Sequence, residues 1–298
     1  MIESGTGIQA SFHLAGIVPI AGQKLDFNFP WHDSCTPIAP DYLAVERAVV
    51  ECAYAGCETI WIVCHDDMQP LIRYRIGEMI EDPVWLGRNM DPRPSETRKQ
   101  IPIYYVPVHP KDRDKRDCLG WSVLYGALVA YSICKKISTY VTPDKYYTAF
   151  PYGVYPPEIL RSHRESISSK KPFVLSFLET TVKDGEYLGF TFDAEDFKRF
   201  RKELRKDGTG RYVPGEGMTE KLLPVEERWS ARNFPIEKVF NSLNLDNALD
   251  AEVDWYFKID NWEDYCEYMG SEMRKGMKRP SKALFDYHEW NPIGEDNV

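Results

Sequence analysis

The chain has 298 residues, of which 43% are hydrophobic and 28% charged, and its formal net charge is −9. A chain of this length and apolar content can bury a large core, and we expect one elaborated domain. The acidic balance argues against a protein whose main ligand is nucleic acid or an anionic membrane, although a local cation can still hold a small anion.

The seven cysteines are scattered and form no Cys-x-x-Cys pair. That pattern is typical of reduced core thiols rather than of a disulfide framework or a zinc site. No apolar stretch approaches the ~20 residues of a membrane span, and no N-terminal segment has the character of a signal peptide. We therefore expect a soluble, cytoplasmic protein without a nucleic-acid or membrane partner.

The first half alternates apolar strands with helices. The predicted strands are 15–20, 60–64, 101–108 and 138–142, and the predicted helices are 42–55, 68–81 and 119–134. The strands are short apolar runs, and the helices carry apolar residues at helical spacing. This alternation predicts a three-layer α/β/α fold, in which helices cover both faces of a mostly parallel sheet.

The second half adds antiparallel structure. The segments 173–178 and 187–192 flank a turn at Lys183-Asp184-Gly185, which predicts an antiparallel pair. Further along the chain we expect a charged helix to residue 206, a mobile loop at 209–225, a helix at 235–243, a strand at 253–260 and a helix at 262–273. The tail from Lys278 is predicted to pack along the surface or to be partly loose.

A glycine turn follows the first strand, at Ala21-Gly22-Gln23-Lys24. Because its first residues are small, a ligand could approach the backbone amides there. The loop that follows, 25–37, is long and holds three aromatic residues, and long loops in compact domains are commonly functional. Its Trp31 and His32 could stack on a base, although such residues more often pack on the protein's own surface.

Polar residues follow each predicted strand of the first half, namely Lys24, His65-Asp66-Asp67, His109 and Asp144. Ligands of parallel sheets bind outside the carboxyl ends of the strands. A carboxylate at that edge could hold a hard cation on a phosphate ligand, and Asp144 is the best single candidate. The alternative is a turn at Thr142-Pro143-Asp144-Lys145, in which Asp144 caps the next segment. Asp260 repeats the pattern at the end of the last strand, and its alternative is a helix N-cap formed by Asp260 or Asn261.

Several of these stretches together resemble the sugar-phosphate nucleotidylyltransferases. The matching stretches in the first half are Ile17-Val18-Pro19-Ile20-Ala21-Gly22-Gln23, Glu51-Cys52-Ala53-Tyr54-Ala55-Gly56, Glu58-Thr59-Ile60-Trp61-Ile62-Val63, His109-Pro110 and Leu119-Gly120-Trp121-Ser122. Near the end, the residues from Trp255 to Tyr265 are similar to the family's Trp-x-Asp-Ile-x-Thr-x-Glu-Asp-Tyr motif. The resemblance covers roughly residues 15–150 and 250–270 in the family's order.

The resemblance implies a Rossmann-like, GT-A-like fold and an enzyme that joins a nucleoside triphosphate to a sugar 1-phosphate and releases pyrophosphate. It implies Mg²⁺ or Mn²⁺ held by Asp144 and Asp260, which would neutralise developing charge. Lys24 would contact the phosphates as a further catalytic residue. The implied nucleotide-binding residues are Ala21, Gly22, Gln23, His109 and Gly120. The implied division is a nucleotide-binding half at 12–150, a sugar or acceptor half at 151–277 and a tail at 278–298.

The chain departs from the family's Gly-x-Gly-Thr-Arg and Lys-Pro signatures. Its loop has one glycine, no arginine, and Lys24 as its cation. Losing a well-placed cation costs about 3 kcal/mol in a transition state, so other cations would have to replace the missing ones. The candidate replacements are Lys145, Arg73 and His32.

Two other functions remain open from the sequence. A GT-A-type glycosyltransferase would use a finished nucleotide-sugar as donor, and a degenerate relative would have an assembly or regulatory role without catalysis. The departures from the loop signature also resemble those of nucleotidylyltransferase-like proteins of tailed phages. The sequence names neither the base, nor the sugar, nor the oligomeric state.

Overall fold

The protein is represented by a computed structural model. It describes residues 12–22, 25, 27–84, 99–113, 118–137, 141–206, 212–214, 220–222 and 234–280. Lys24 and Gln23 lie outside the described residues, as does the tail beyond residue 280.

The strands and helices follow the alternation expected for the first half. The strands are β1 Leu14–Pro19, β2 Pro37–Ala39, β3 Tyr42–Leu43, β4 Thr59–Cys64, β5 Met79–Glu81, β6 Gln100–Pro107, β7 Lys145–Thr148, β8 Gly153–Val154, β9 Phe173–Ser176, β10 Phe190–Phe192, β11 Tyr212–Pro214, β12 Glu220–Leu222, β13 Leu249–Glu252 and β14 Phe257–Lys258. The helices are α1 Ala44–Ala55, α2 Gln69–Ile76, α3 Pro110–Arg113, α4 Leu119–Lys136, α5 Arg164–Ile167, α6 Ala194–Lys206, α7 Ile236–Phe240, α8 Trp262–Gly270 and α9 Met273–Gly276.

One eight-stranded sheet forms the centre, in the order β13-β9-β10-β7-β1-β4-β6-β5. The strands β7, β1, β4 and β6 run parallel to their neighbours in this series, whereas β10 is antiparallel to both β7 and β9. The predicted parallel sheet with antiparallel additions from the second half is therefore confirmed. Both halves of the chain contribute strands to it.

Helices cover both faces of this sheet. Ile17 and Val63 point into one core together with Leu124 of α4, whereas Val18 points into the other with Val49 of α1. Successive residues of a buried strand face opposite sides, so each central strand serves both cores. This explains why these strands read as continuous apolar runs rather than as alternating ones.

Four predicted elements are wrong. The strand expected at 253–260 is limited to β14 at Phe257–Lys258, and residues 253–256 have no regular structure. The strand expected at 138–142 is instead β7 at 145–148; residues 138–140 lie outside the described part, and 141–142 have no regular structure. The helix expected at 68–81 ends at Ile76, because Gly77 has a φ of +86° and the chain turns into β5. The loop expected at 209–225 contains an antiparallel pair, β11 with β12.

Candidate functional site

The carboxyl edge is the side of the sheet where the parallel strands β1, β4, β6 and β7 end. The residues that follow these strands are Ala21-Gly22, His65, His109 and Ala149-Phe150 respectively. Because parallel strands end on the same side, the structure brings three of the predicted polar or turn positions to one edge. The fourth, Asp144, is not among them.

The glycine turn is fixed against the start of α4. Gly22 has a φ of +87°, and a Cβ there would lie 2.5 Å from the carbonyl carbon of Cys118. The Ser122 hydroxyl donates to the carbonyl oxygen of Ala21 at 2.7 Å. The N–H of Ala21 donates to the carbonyl of Val63 at 3.0 Å, so both backbone groups of this residue are used inside the protein. Ala21 is fully buried and Gly22 is half-buried, so of these two residues a ligand could reach only the backbone of Gly22.

The two residues expected near the base differ in accessibility. His109 is exposed directly after β6, where its carbonyl accepts from the N–H of Asp112 at the start of α3. Gly120 is buried, and a Cβ at this position would lie only 2.7 Å from Cγ2 of Val239 on α7. The absence of a side chain at Gly120 therefore serves the close packing of α4 and α7.

Asp144 lies at the opposite side of the sheet, the amino edge, where the parallel strands begin. It immediately precedes β7, and its Oδ2 accepts from the N–H of His13, the residue before β1, at 2.8 Å. The six residue steps from Asp144 to Phe150 span roughly 20 Å in extended conformation. The sequence placed Asp144 after a strand rather than before one, and the structure does not bring it together with Asp260.

Asp260 lies beyond the carboxyl end of β7, close to Lys258 and Tyr187. Its Oδ1 accepts from the Tyr187 hydroxyl at 2.6 Å, and its Oδ2 is 3.1 Å from the Lys258 ammonium. Burial and the neighbouring Asp260 carboxylate raise the pKa of Tyr187. Of the two residues that the sequence offered as alternative helix caps, Asp260 and Asn261, the Asn261 side chain caps α8.

Lys258 is a candidate site residue that the sequence reasoning missed, although the motif around it contained the signal. When Ile259, Glu263, Asp264 and Tyr265 are aligned with Ile, Glu, Asp and Tyr of Trp-x-Asp-Ile-x-Thr-x-Glu-Asp-Tyr, Lys258 takes the place of its Asp. In this alignment Asp260 falls at the position after Ile, where the motif specifies no residue type. The expected carboxylate is thus replaced by an ammonium.

The described residues do not form a centre for a divalent cation. The strand β7 is followed at the carboxyl edge by Ala149 and Phe150, which are fully buried and carry no metal-binding group. Across the described part of the chain, no group of three or more His, Cys, Asp or Glu side chains could hold a metal ion. The donor set therefore does not fit a Mg²⁺ or Mn²⁺ held by two aspartates.

A buried charge network supports the carboxyl edge from the α1 side. Arg47 and Glu51 are both fully buried, and their side chains pair at 2.8 Å. Arg47 also donates to the carbonyl oxygen of Phe150 at 2.5 Å, and Glu51 accepts from the hydroxyls of Tyr147 and Tyr155. Burial raises the pKa of Glu51, which the Arg47 charge and the tyrosine hydroxyls partly offset. This network holds the backbone where β7 ends.

Of the cations proposed to replace the missing loop arginine, Lys145 and Arg73 have structural roles. Lys145 begins β7 at the amino edge, and its ammonium donates to the carbonyl oxygens of Ile167, Ser169 and Lys171. Burial lowers the pKa of Lys145 to about 8. Arg73 is exposed on α2 and pairs with Glu78. The ring of His32 accepts from the N–H of Ser34 in the same loop.

The aromatic loop packs on the start of α8. The ring centroids of Phe27 and Trp262 are 5.5 Å apart, and Phe29 stacks on Trp31 at 5.2 Å. Trp31 is 43% exposed and Trp262 is 49% exposed. The loop therefore packs on the protein's own surface, as the sequence allowed, while leaving two indole rings accessible near Asp260.

A pocket of about 620 Å³ lies between the turn after β2 and the segment that includes α9. It is lined by Pro40, Asp41, Arg274, Lys275, Met277, Lys278, Arg279 and Pro280. Arg279 pairs there with Asp41 and Glu46. Its lining shares no residue with the carboxyl edge.

Comparison with known proteins gives a result at the level of the fold. No family model and no curated protein matches the sequence. A Bacillus anthracis protein provisionally described as a glucose-1-phosphate thymidylyltransferase, in complex with a sucrose, superposes with a TM-score of 0.53 and 10% identity, over 90% of this chain and 98% of that one. An apo UDP-glucose pyrophosphorylase superposes with a TM-score of 0.51 and 11% identity, over 89% of this chain and 100% of that one.

These likenesses confirm the predicted fold, which the chain shares with both structures at 10% and 11% sequence identity. Among the helices described, none has the length and apolar character needed to cross a membrane.

Proposed function

We propose that the carboxyl edge binds a nucleotide and a sugar phosphate, and that the chain transfers the nucleotidyl group of a nucleoside triphosphate to a sugar 1-phosphate. In this proposal Gly22, Gln23 and Lys24 contact the nucleotide phosphates. His109 lies near the base, and Lys258 and Asp260 face the phosphates from the other side.

The observation that carries the proposal is the fixed turn at Gly22. A turn that follows a central parallel strand and abuts the start of the 18-residue helix α4 is where this class of sheet binds phosphates. The exposed indole rings of Trp31 and Trp262 supply a surface on which a planar base or a sugar ring can stack.

The reaction is a displacement at phosphorus. An oxygen of the sugar 1-phosphate forms a bond to the α-phosphorus, the bond from that phosphorus to the bridging oxygen breaks, and pyrophosphate leaves with the electron pair. Most of the catalysis in such transfers is positioning and charge stabilisation. In this chain the ammonium groups of Lys258 and Lys24 would offset the negative charge that develops on the phosphates.

The test is pyrophosphate release. The purified chain is incubated with each of ATP, CTP, GTP, UTP and dTTP together with glucose 1-phosphate, and pyrophosphate is detected after hydrolysis by pyrophosphatase. We expect one nucleotide to give turnover that Lys258→Gln reduces and the exposed control Lys170→Gln retains. If no nucleotide gives pyrophosphate, nucleotidyl transfer from these nucleotides to glucose 1-phosphate is wrong.

A second function is binding of a finished nucleotide-sugar without nucleotidyl transfer. It is favoured by the end of β7, where the buried Ala149 and Phe150 supply no carboxylate for a catalytic metal ion. Thermal stabilisation by UDP-glucose or dTDP-glucose without pyrophosphate release would support it. A ligand at 100 times its Kd stabilises a protein by about 2.7 kcal/mol, which such a measurement detects. Release of a nucleoside diphosphate in the presence of an acceptor would instead identify a glycosyltransferase.

A further inference from the structure

The carboxylate expected to bind a metal is already engaged. Both oxygens of Asp260 have partners, since Oδ1 accepts from the Tyr187 hydroxyl and Oδ2 pairs with the Lys258 ammonium. Mg²⁺ requires near-octahedral oxygen ligands at about 2.0–2.1 Å. A metal on Asp260 would lie beside the Lys258 ammonium, which bears the same sign of charge and repels it.

The Lys258 side chain is held in place but is still accessible. Its backbone pairs with Gly153 in the short ladder of β14 and β8. Its ammonium lies 5.3 Å from the centroid of the Tyr187 ring, a cation–π distance, and the side chain is 33% exposed. An ammonium has three donors, and Asp260 takes one of them. The remaining donors can reach a ligand from a fixed position.

The formal charges of the two arrangements are equal. A divalent cation with two carboxylates sums to zero, and so does Lys258 with Asp260. The exchange of one Asp for Lys, together with the absence of a carboxylate at the end of β7, therefore preserves the local charge while removing the metal ligands. Either way, a positive group faces the anionic ligand and negative groups stand behind it.

We propose that this site holds the phosphates of its ligand through the Lys258 ammonium and needs no divalent cation to do so. The inference rests on the proposed function, because it takes a nucleotide ligand at the carboxyl edge as given. Asp260 and Tyr187 are positioning residues, which orient the ammonium through a carboxylate contact and a ring face.

The experiment is isothermal titration calorimetry of the full chain with UDP-glucose and dTDP-glucose as probes, once in millimolar MgCl₂ and once in EDTA. We expect the Kd of the bound probe to be the same within about twofold in both buffers. We expect Lys258→Gln to weaken it about tenfold, as the loss of one charge-assisted hydrogen bond predicts, and Lys258→Arg to retain most of the affinity. Lys170→Gln, an exposed lysine remote from the site, is the matched control.

Two results overturn the inference while leaving the proposed binding intact: binding that occurs only with Mg²⁺, and a Kd that Lys258→Gln does not change. Circular dichroism and the melting temperature of each variant separate a local effect from misfolding. If neither probe binds in either buffer, binding of these nucleotide-sugars at the carboxyl edge is wrong, and the inference that depends on it is wrong as well.

Discussion

The side chains at the two edges of the central sheet differ in their hydrogen-bond partners and in their exposure. At the amino edge, charged groups are bound by the protein itself: Asp144 accepts from the backbone of His13, Lys145 donates to three carbonyls, and Asp82 pairs with Arg164. At the carboxyl edge, Lys258 keeps a third of its side chain exposed and two indole rings are half exposed.

The difference separates polar groups that stabilise the fold from those available to a ligand. A polar group whose hydrogen bonds are all made within the protein contributes to stability, and its removal leaves buried partners unsatisfied. A group held in position with donors to spare can bind something else. Substitutions at the two edges should therefore change different quantities.

The largest effect on stability is expected directly beneath the carboxyl edge. Glu51→Ala leaves the fully buried Arg47 without its carboxylate, and breaking a buried pair in this way costs about 3–5 kcal/mol. Urea denaturation of the variant measures this loss. The exposed helical residue Glu267 provides the control, since Glu267→Ala should change the free energy of unfolding by less than about 0.5 kcal/mol. Similar small effects for both variants would contradict the network's structural role.

At the amino edge, Lys145→Met removes three hydrogen bonds and should cost about 2–4 kcal/mol. Burial lowers the pKa of Lys145 to about 8, below its value of about 10.4 in an unfolded chain. At Lys145 the unfolded chain therefore binds more protons between these values, so the contribution of this residue to the free energy of unfolding rises from pH 8 toward pH 10. Buried thiols such as Cys64 titrate in the same range with the opposite sign, so the rise is measured as the difference in free energy of unfolding between the wild type and the variant, which should grow with pH.

The Asp82–Arg164 pair should contribute to the loss of folding stability at acid pH. Burial alone would raise the pKa of Asp82, but the hydrogen bonds and charge of Arg164 outweigh it and hold the pKa below its usual value. Its stabilisation is therefore present above about pH 4 and is lost as the pH falls through the folded-state pKa. Asp82→Asn should cost about 1–3 kcal/mol at neutral pH and flatten the acid limb. Asp250→Asn, at an exposed carboxylate, should leave that limb unchanged.

The smallest effect on stability, and the sharpest contrast between the edges, concerns the two aspartates. Asp144→Asn should cost less than about 1 kcal/mol and leave the Kd of UDP-glucose unchanged, because the residue caps His13 at the amino edge. Asp260→Asn should weaken binding of the same probe, because it releases the Lys258 ammonium. A loss of binding in Asp144→Asn with no effect of Asp260→Asn would reverse our assignment of the two edges.

The sequence predicted the fold well because its main signals are local. The fully buried strands β1 and β4 are apolar runs, and α1 ends where Gly56 takes a φ of +88°. The position of β7 was not predicted, because the strand begins with Lys145. A lysine in a central strand indicates a break in the strand unless distant carbonyl groups accept hydrogen bonds from its ammonium. Those partners are 22 to 26 residues away and carry no local signature.

The site was less predictable, because roles there depend on which end of a strand a residue occupies. A shift of a few residues in the position of β7 moved Asp144 from one edge of the sheet to the other. The motif around Ile259 did contain the position of Lys258, but the nearby Asp260 supplied the expected residue type. The Arg47–Glu51 pair gave a clear i,i+4 signal, yet its burial and its contact with Phe150 follow only from the folded chain.

The close approach of Gly22 to Cys118 also bears on how such a protein can diverge. Any side chain at position 22 would meet both an unfavourable φ and the backbone of the neighbouring helix, so that position is closed to change. Position 258 lies on a two-residue strand with a partly exposed side chain, where a new residue disturbs little packing. Selection can therefore exchange the charged group that meets the ligand while the scaffold stays fixed, which gives one fold room for more than one chemistry.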